Sequence, residues 1–170
     1  MPIFLKAVIA GFAIAAPIGP ASLLTIRRAV RSGASGVMSG LGAVTADVLH
    51  AALAIFGVAA VAELLATHGD WMRGAAALVL FAMAWMSLRK RRDPVRAEVT
   101  VASLAADWAS ALALTVSNPG TLLGFIAIFA AMGIAVAPET PSGYALVIGG
   151  VLLGSVLWWS GLSLGAHLVG

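Results

Sequence analysis

Residues 3–26 read IFLKAVIAGFAIAAPIGPASLLTI, an apolar run long enough to cross a bilayer and interrupted by Pro17, Gly19 and Pro20. A bilayer core accepts helices of about 20 apolar residues. Each proline lacks an amide hydrogen and crowds the preceding turn, so the pair breaks a membrane helix, and Gly19 between them adds freedom. Lys6 followed by an apolar run also suggests a signal peptide. Arg27, Arg28 and Arg31 on the far flank, and prolines inside the continuing run, argue against cleavage.

Four further apolar segments follow, at about Val37–Leu65, Trp71–Leu88, Trp108–Val136 and Tyr144–Leu168. None alternates polar with apolar residues, so helices are expected rather than barrel strands. Over 170 residues the chain is 61% hydrophobic and 10% charged, with mean hydropathy +1.04. Soluble domains carry about 45–50% apolar and about 25% charged residues. The expectation is an all-α, polytopic membrane helix bundle with five visible transmembrane helices. Cysteine is absent, which excludes disulfides, thiol relays and cysteine metal sites.

The net charge of +3 and pI near 10.2 do not point to nucleic acid, because the basic residues cluster beside apolar runs. Arg27, Arg28 and Arg31 lie between the first two segments, and Arg89, Lys90, Arg91, Arg92 and Arg96 between the third and fourth. The positive-inside rule places both loops in the cytoplasm and the N-terminus outside. Only Lys6 argues weakly the other way. The expected location is a bacterial inner (plasma) membrane, crossed several times, with membrane lipid as surroundings. Residues 89–107 form a basic linker between a three-helix half, 1–88, and a second half, 108–170, with two visible helices. Segments one and four then cross in opposite directions, as an inverted repeat requires, with the second half one helix short.

The fourth segment is interrupted in its turn, by Ser117-Asn118-Pro119-Gly120-Thr121. Paired interruptions in corresponding helices are the best sequence pointer to a transporter binding site. The bland alternative is a pair of helix kinks satisfied by their neighbours. Pro17, Gly19, Pro20, Asn118, Pro119 and Gly120 are therefore candidate solute-binding residues.

Asp47 is the carboxylate set clearly inside an apolar run, where placing it costs about 2.5–3.5 kcal/mol. Gly36, Gly40, Ala43, Asp47 and His50 recur at helical spacing, so Asp47 is expected to point into the bundle. Gly36 and Gly40 form a small-xxx-small pair that lets helices approach closely. Asp47 is a candidate proton-coupling or amine-binding group; a structural hydrogen bond is the rival reading. His50 could relay protons, but a satisfied packing histidine is the commoner case. Thr45 and Trp158 complete the candidate set; Trp158 and Trp159 both come close to the depth of the breaks from the fifth segment, with an interfacial aromatic belt as their alternative. At 1.5 Å per residue, Pro17–Pro20 and Asp47 lie about 9–17 Å from their cytoplasmic ends and Asn118 about 15 Å, a common depth. The three histidines show no metal-site spacing, no catalytic constellation is visible and no cofactor is called for.

The stretches Ala15-Ala16-Pro17-Ile18-Gly19-Pro20 with Ile26-Arg27-Arg28, Gly40-Leu41-Gly42-Ala43-Val44-Thr45-Ala46-Asp47 and Thr115-Val116-Ser117-Asn118-Pro119-Gly120-Thr121 resemble the lysine-exporter (LysE-type) translocators. Their order and spacing cover nearly the whole chain. The resemblance implies export of amino acids or similar small metabolites, driven by proton antiport, with protons and a small solute as partners. Many members carry an asparagine after the proline where this chain has Ala21, so one substrate-side polar group is absent. The family usually has six transmembrane helices; five are visible here. A non-transporting membrane subunit and a metal-ion exporter remain as alternatives, and self-association into a homo-oligomer is allowed but not required.

Overall fold

The computed structural model describes residues 1–56, 100–134 and 140–169. Among these, six helices and no strands are present: α1 (Ile3–Ala15), α2 (Pro20–Arg31), α3 (Gly33–Phe56), α4 (Val101–Val116), α5 (Pro119–Ala131) and α6 (Pro141–Val169). The expected third segment and the basic cluster at 89–96 lie outside the described residues.

α3 and α6 are each long and apolar enough to span a membrane, and the bent pairs α1–α2 and α4–α5 qualify as broken spans. The bends measure 80° and 64°. Each has a local cause. After Ala16, whose amide still bonds Phe12 O at 3.0 Å, Pro17 offers no donor to continue α1. Gly19 then takes an extended conformation and Pro20 occupies N1 of α2, a position that tolerates a missing amide hydrogen. The second break repeats this chemistry with Asn118 as N-cap and Pro119 at N1 of α5.

α4 begins at Val101, ahead of the apolar run at Trp108. A reciprocal cap sets this start: Thr100 Oγ1 accepts from the Ser103 amide at 3.2 Å and Ser103 Oγ accepts from the Thr100 amide at 3.0 Å. The helix therefore takes in residues 101–107 of the stretch read as linker. α5 ends where Gly133 adopts φ +67°, which glycine reaches without a Cβ penalty. Lys6 Nζ donates to Met132 O there at 2.8 Å.

Contacts fix the relative sense of the helices. Gly11 packs on Val151, while the Ala29 carbonyl lies 3.0 Å from His167 Nδ1, so α1–α2 and α6 ascend side by side. α3 runs against them, with Gly36 beside Ala29 and Gly40 beside Trp159. α4 follows α3, since Arg28 and Ser39 meet Asp107 and Ser110 at one end while His50 faces Val116 at the other. The two broken pairs thus run in opposite directions.

Lipid tails supply no hydrophobic drive between helices, so close backbone approach carries the packing. A Cβ at Gly154 would collide with Val8 O, and one at Gly42 with Trp108 O. The interior is small, with Ala7, Ala10, Ala51, Phe125, Phe129 and Val151 forming one cluster and Ala15, Ala43, Val44 and Trp159 another. Large aliphatic side chains also face outward: Leu5, Ile9, Leu49, Leu53, Leu153 and Leu157 are all exposed. So much exposed apolar surface suits a lipid surrounding.

Candidate solute-binding cavity

Both helix breaks open onto one cavity of about 560 Å³ among the described residues. Ligand pockets commonly occupy about 300–1,000 Å³. Its walls are the last turn of α1, the Pro17–Ser22 break, the end of α4, the start of α5, and the side chains of Asp47 and Trp159. Of the residues singled out from sequence, the cavity collects Pro17, Gly19, Pro20, Asp47, Asn118, Pro119 and Gly120.

The other three sit elsewhere. Thr45 faces α4: its Oγ1 donates to Leu41 O at 2.8 Å and accepts from Trp108 Nε1 at 3.3 Å. His50 is buried and faces the Val116 backbone, with Nδ1 unpartnered among the described residues. Trp158 stacks edge to face on Phe12 with ring centroids 5.4 Å apart. Of the two adjacent tryptophans, Trp159 lines the cavity and Trp158 does not. Its Nε1 donates to Asp47 Oδ2 at 3.0 Å.

Asp47 is only 1% exposed. Its helical face is set by Gly36, Gly40 and Ala43, which bring α3 against α2 and α6 and turn the carboxylate inward. The indole hydrogen bond leaves carboxylate capacity free, because an ionised carboxylate accepts at about four lone-pair positions.

The two breaks expose backbone groups differently. At α5 the Gly120 amide is taken by Asn118 Oδ1 at 3.0 Å and the Thr121 amide by Asn118 O at 3.2 Å. At α2 no side chain caps the terminus. The first amide to find a backbone acceptor there is that of Leu23, bonded to Gly19 O at 3.0 Å. The Ala21 and Ser22 amides come before it and have no intrahelical acceptor. Irregular backbone at membrane depth persists where it lines a cavity or is buried in protein.

A second polar cluster lies at the end of the bundle that carries Arg27 and Arg31. Arg28 Nε pairs with Asp107 Oδ1 at 2.9 Å. Its terminal nitrogens donate to Ser39 Oγ at 3.0 Å, Asp107 O at 2.9 Å and Ser110 Oγ at 2.8 Å. In the sequence Arg28 belongs to a basic loop and to the first family stretch, and Asp107 ends the linker, with nothing to pair the two. Among the described residues, no group of three His, Cys, Asp or Glu side chains is placed to hold a metal ion.

The LysE type translocator family matches residues 12–169, a range that includes both breaks, Asp47 and Trp159. The chain belongs to that family. The family is one of translocators. Two relatives extend the comparison. The Escherichia coli (strain K12) "Uncharacterized membrane protein YahN" is 29% identical over 129 residues, which cover 73% of this chain and 56% of that protein. The Bacillus subtilis (strain 168) "Putative amino acid efflux protein YcgF" is 28% identical over 165 residues, 93% of this chain and 77% of that protein. The chain thus spans little more than half the length of the Escherichia coli relative. No solved structure gives a significant match.

Proposed function

We propose that this LysE-family chain exports amino acids or similar small metabolites across the bacterial inner membrane by proton antiport, through the cavity between its two broken helices. The observation that carries the proposal is Asp47, a buried carboxylate that opens onto a cavity walled by both breaks. Intramembrane acids mark substrate or proton pathways by default. Freed amides and carbonyls at the breaks supply the dipole ends that transporter sites use for charged groups. The opposite sense of the two broken pairs supports halves related as inverted repeats, and the name of the Bacillus subtilis relative supports the solute class. In this reading the end with Arg28 faces the cytoplasm, and Asp47 takes up a proton on the outer side and releases it on the inner side.

The test is paired: efflux from proteoliposomes under an imposed pH gradient, and solute counterflow without one. Asp47→Asn mimics the protonated acid but cannot release a proton. It is expected to abolish gradient-driven efflux and to leave part of the counterflow. Efflux equal to the parent at equal abundance refutes the coupling role. Loss of both activities in a folded variant reassigns Asp47 to direct binding of the solute amine.

A further inference from the structure

The cavity stops short of the end of the bundle that carries Arg28. On that side its lining reaches Ser22 on α2 and Leu114 and Thr115 on α4. The Arg28–Asp107 cluster lies beyond, at about 9 Å along α2 and about 10 Å along α4, taking 1.5 Å per residue. Two rows of side chains lead from the cavity to the cluster. On α2 they are Ser22, Thr25 and Arg28, at three-residue spacing; on α4 they are Thr115, Ala111 and Asp107, at four-residue spacing. Such rows form the ridges of a helix surface. Midway, Thr25 and Ala111 are fully buried and neither lines the cavity, so the seam is shut in this structure. Thr25 Oγ1 has no hydrogen-bond partner among the described residues. A buried hydroxyl normally has one, and a passage that fills with water when α2 and α4 part would supply it. Arg28 holds the seam closed. It belongs to the first broken pair, and three of its four contacts cross to the second, to Asp107 Oδ1, Asp107 O and Ser110 Oγ. The fourth, to Ser39 Oγ, ties it to α3.

We propose that this cluster is the cytoplasmic gate of the cavity: Arg28 closes the seam between α2 and α4 by holding Asp107 and Ser110, and solute enters past Thr25 when those bonds part. This deepens the exporter reading above and rests on it. An exporter loads on the cytoplasmic side, which in that reading is the Arg28 end, so the seam opens once in each cycle. Opening has to be reversible. The Arg28 and Asp107 side chains are each 17% exposed, so water reaches the pair and takes over its bonds as the helices separate.

The chain has no cysteine, so a single Thr25→Cys reports on the seam. In membrane vesicles with the cytoplasmic face outward, an impermeant thiol reagent should label it slowly. Asp107→Asn removes the partner charge and is expected to speed that labelling roughly tenfold, the scale of one bond to a charged group. Asp107→Glu keeps the charge and should stay within about threefold of the parent. Ala54→Cys, buried in the core cluster towards the Lys6 end, reports general loosening and should label no faster with Asp107→Asn. A second arm uses Arg28→Cys with Asp107→Cys, joined by a short cleavable bifunctional thiol reagent in place of the ion pair. Joining should stop counterflow of leucine, lysine and glutamate in proteoliposomes, and cleavage should restore it. Thr25→Cys labelling as fast in the parent as with Asp107→Asn overturns the gate and leaves the exporter reading standing. So does an equal rise at Ala54→Cys, or undiminished exchange in the joined protein. If the labelling follows the expectation but the parent chain moves no amino acid, the exporter reading falls and the gated seam stands.

Discussion

Replacing Arg28 perturbs a polar cluster that joins α2, α3 and α4. Its guanidinium makes four polar contacts of 2.8–3.0 Å, to Asp107, Ser39 and Ser110. Bonds to a charged group contribute about 1.5–3 kcal/mol each when taken singly. They do not add here, because holding the cation also costs desolvation and side-chain entropy. The bounds are about 0–1 kcal/mol for an exposed pair and about 3–5 kcal/mol for breaking a buried one. Both side chains are 17% exposed, nearer the buried limit. Arg28→Met should therefore destabilise the protein by about 2–3 kcal/mol. At about 2–4 °C per kcal/mol for a chain of this size, that is a fall of roughly 5–10 °C in Tm. Arg28→Lys keeps the charge but not the fork that reaches three helices, so it should lose about half as much. Thermal unfolding in lipid nanodiscs, followed by tryptophan fluorescence, measures both. A double-mutant cycle with Asp107→Asn isolates the pair. Arg28→Lys melting with the parent, or Arg28→Met and Asp107→Asn adding within about 0.5 kcal/mol, would refute the reasoning.

The adjacent tryptophans should separate in function. Trp159→Phe removes the donor to Asp47 and is expected to slow gradient-driven efflux roughly tenfold, whereas Trp158→Phe should change it less than about twofold; equal effects would contradict the assignment. Gly42→Ala meets the Trp108 carbonyl and the Leu112 amide, both backbone, so α3 and α4 must part at about 1–3 kcal/mol. Gly161→Ala meets nothing within 4 Å and should be neutral or slightly stabilising in the same unfolding assay. Orientation is read from single cysteines in this cysteine-free chain. On intact cells an impermeant thiol reagent should label Thr140→Cys and spare Ser32→Cys, and the reverse pattern would invert the topology.

The two breaks were legible because proline leaves the same backbone deficit in any context, and each stands inside an apolar run too long to be a loop. Asp47 was legible because hydrocarbon penalises it, and Gly36, Gly40 and Ala43 announced its face. Composition does not separate Trp158 from Trp159, because both are tryptophan, although adjacent helical residues point about 100° apart. The signal lies along the helix: Val147, Val151, Ser155, Trp159 and Ser163 are all buried on α6, each four residues from the next, which selects 159 over 158. The start of α4 was written in the Thr100 and Ser103 pair, but a cap carries no hydropathy. The Arg28–Asp107 pair had no local signal at all, since its partners are 79 residues apart and each is explicable by topology alone.

The broken backbone around the cavity is held by more than proline. α6 grips both sides of the first break. Gly150 and Gly154 seat α1, while the His167 ring reaches the Ala29 carbonyl of α2 at 3.0 Å. Those contacts are separated by about 20 Å along α6 at 1.5 Å per residue. Ser163 Oγ also donates to Gly36 O at 3.1 Å, fixing α3 to the same helix between them. With α1 and α2 each anchored to a continuous helix, the 80° bend cannot relax into a straight span without losing one of the two anchorages. The second broken pair is tied to the first at both ends, by Arg28 on α2 to α4 and by Lys6 on α1 to the Met132 carbonyl beyond α5. The ties are unequal: Arg28 makes four contacts with three side chains and a carbonyl, and Lys6 makes one with a carbonyl. Separating the broken pairs at the Lys6 end therefore breaks fewer polar contacts than separating them at the Arg28 end.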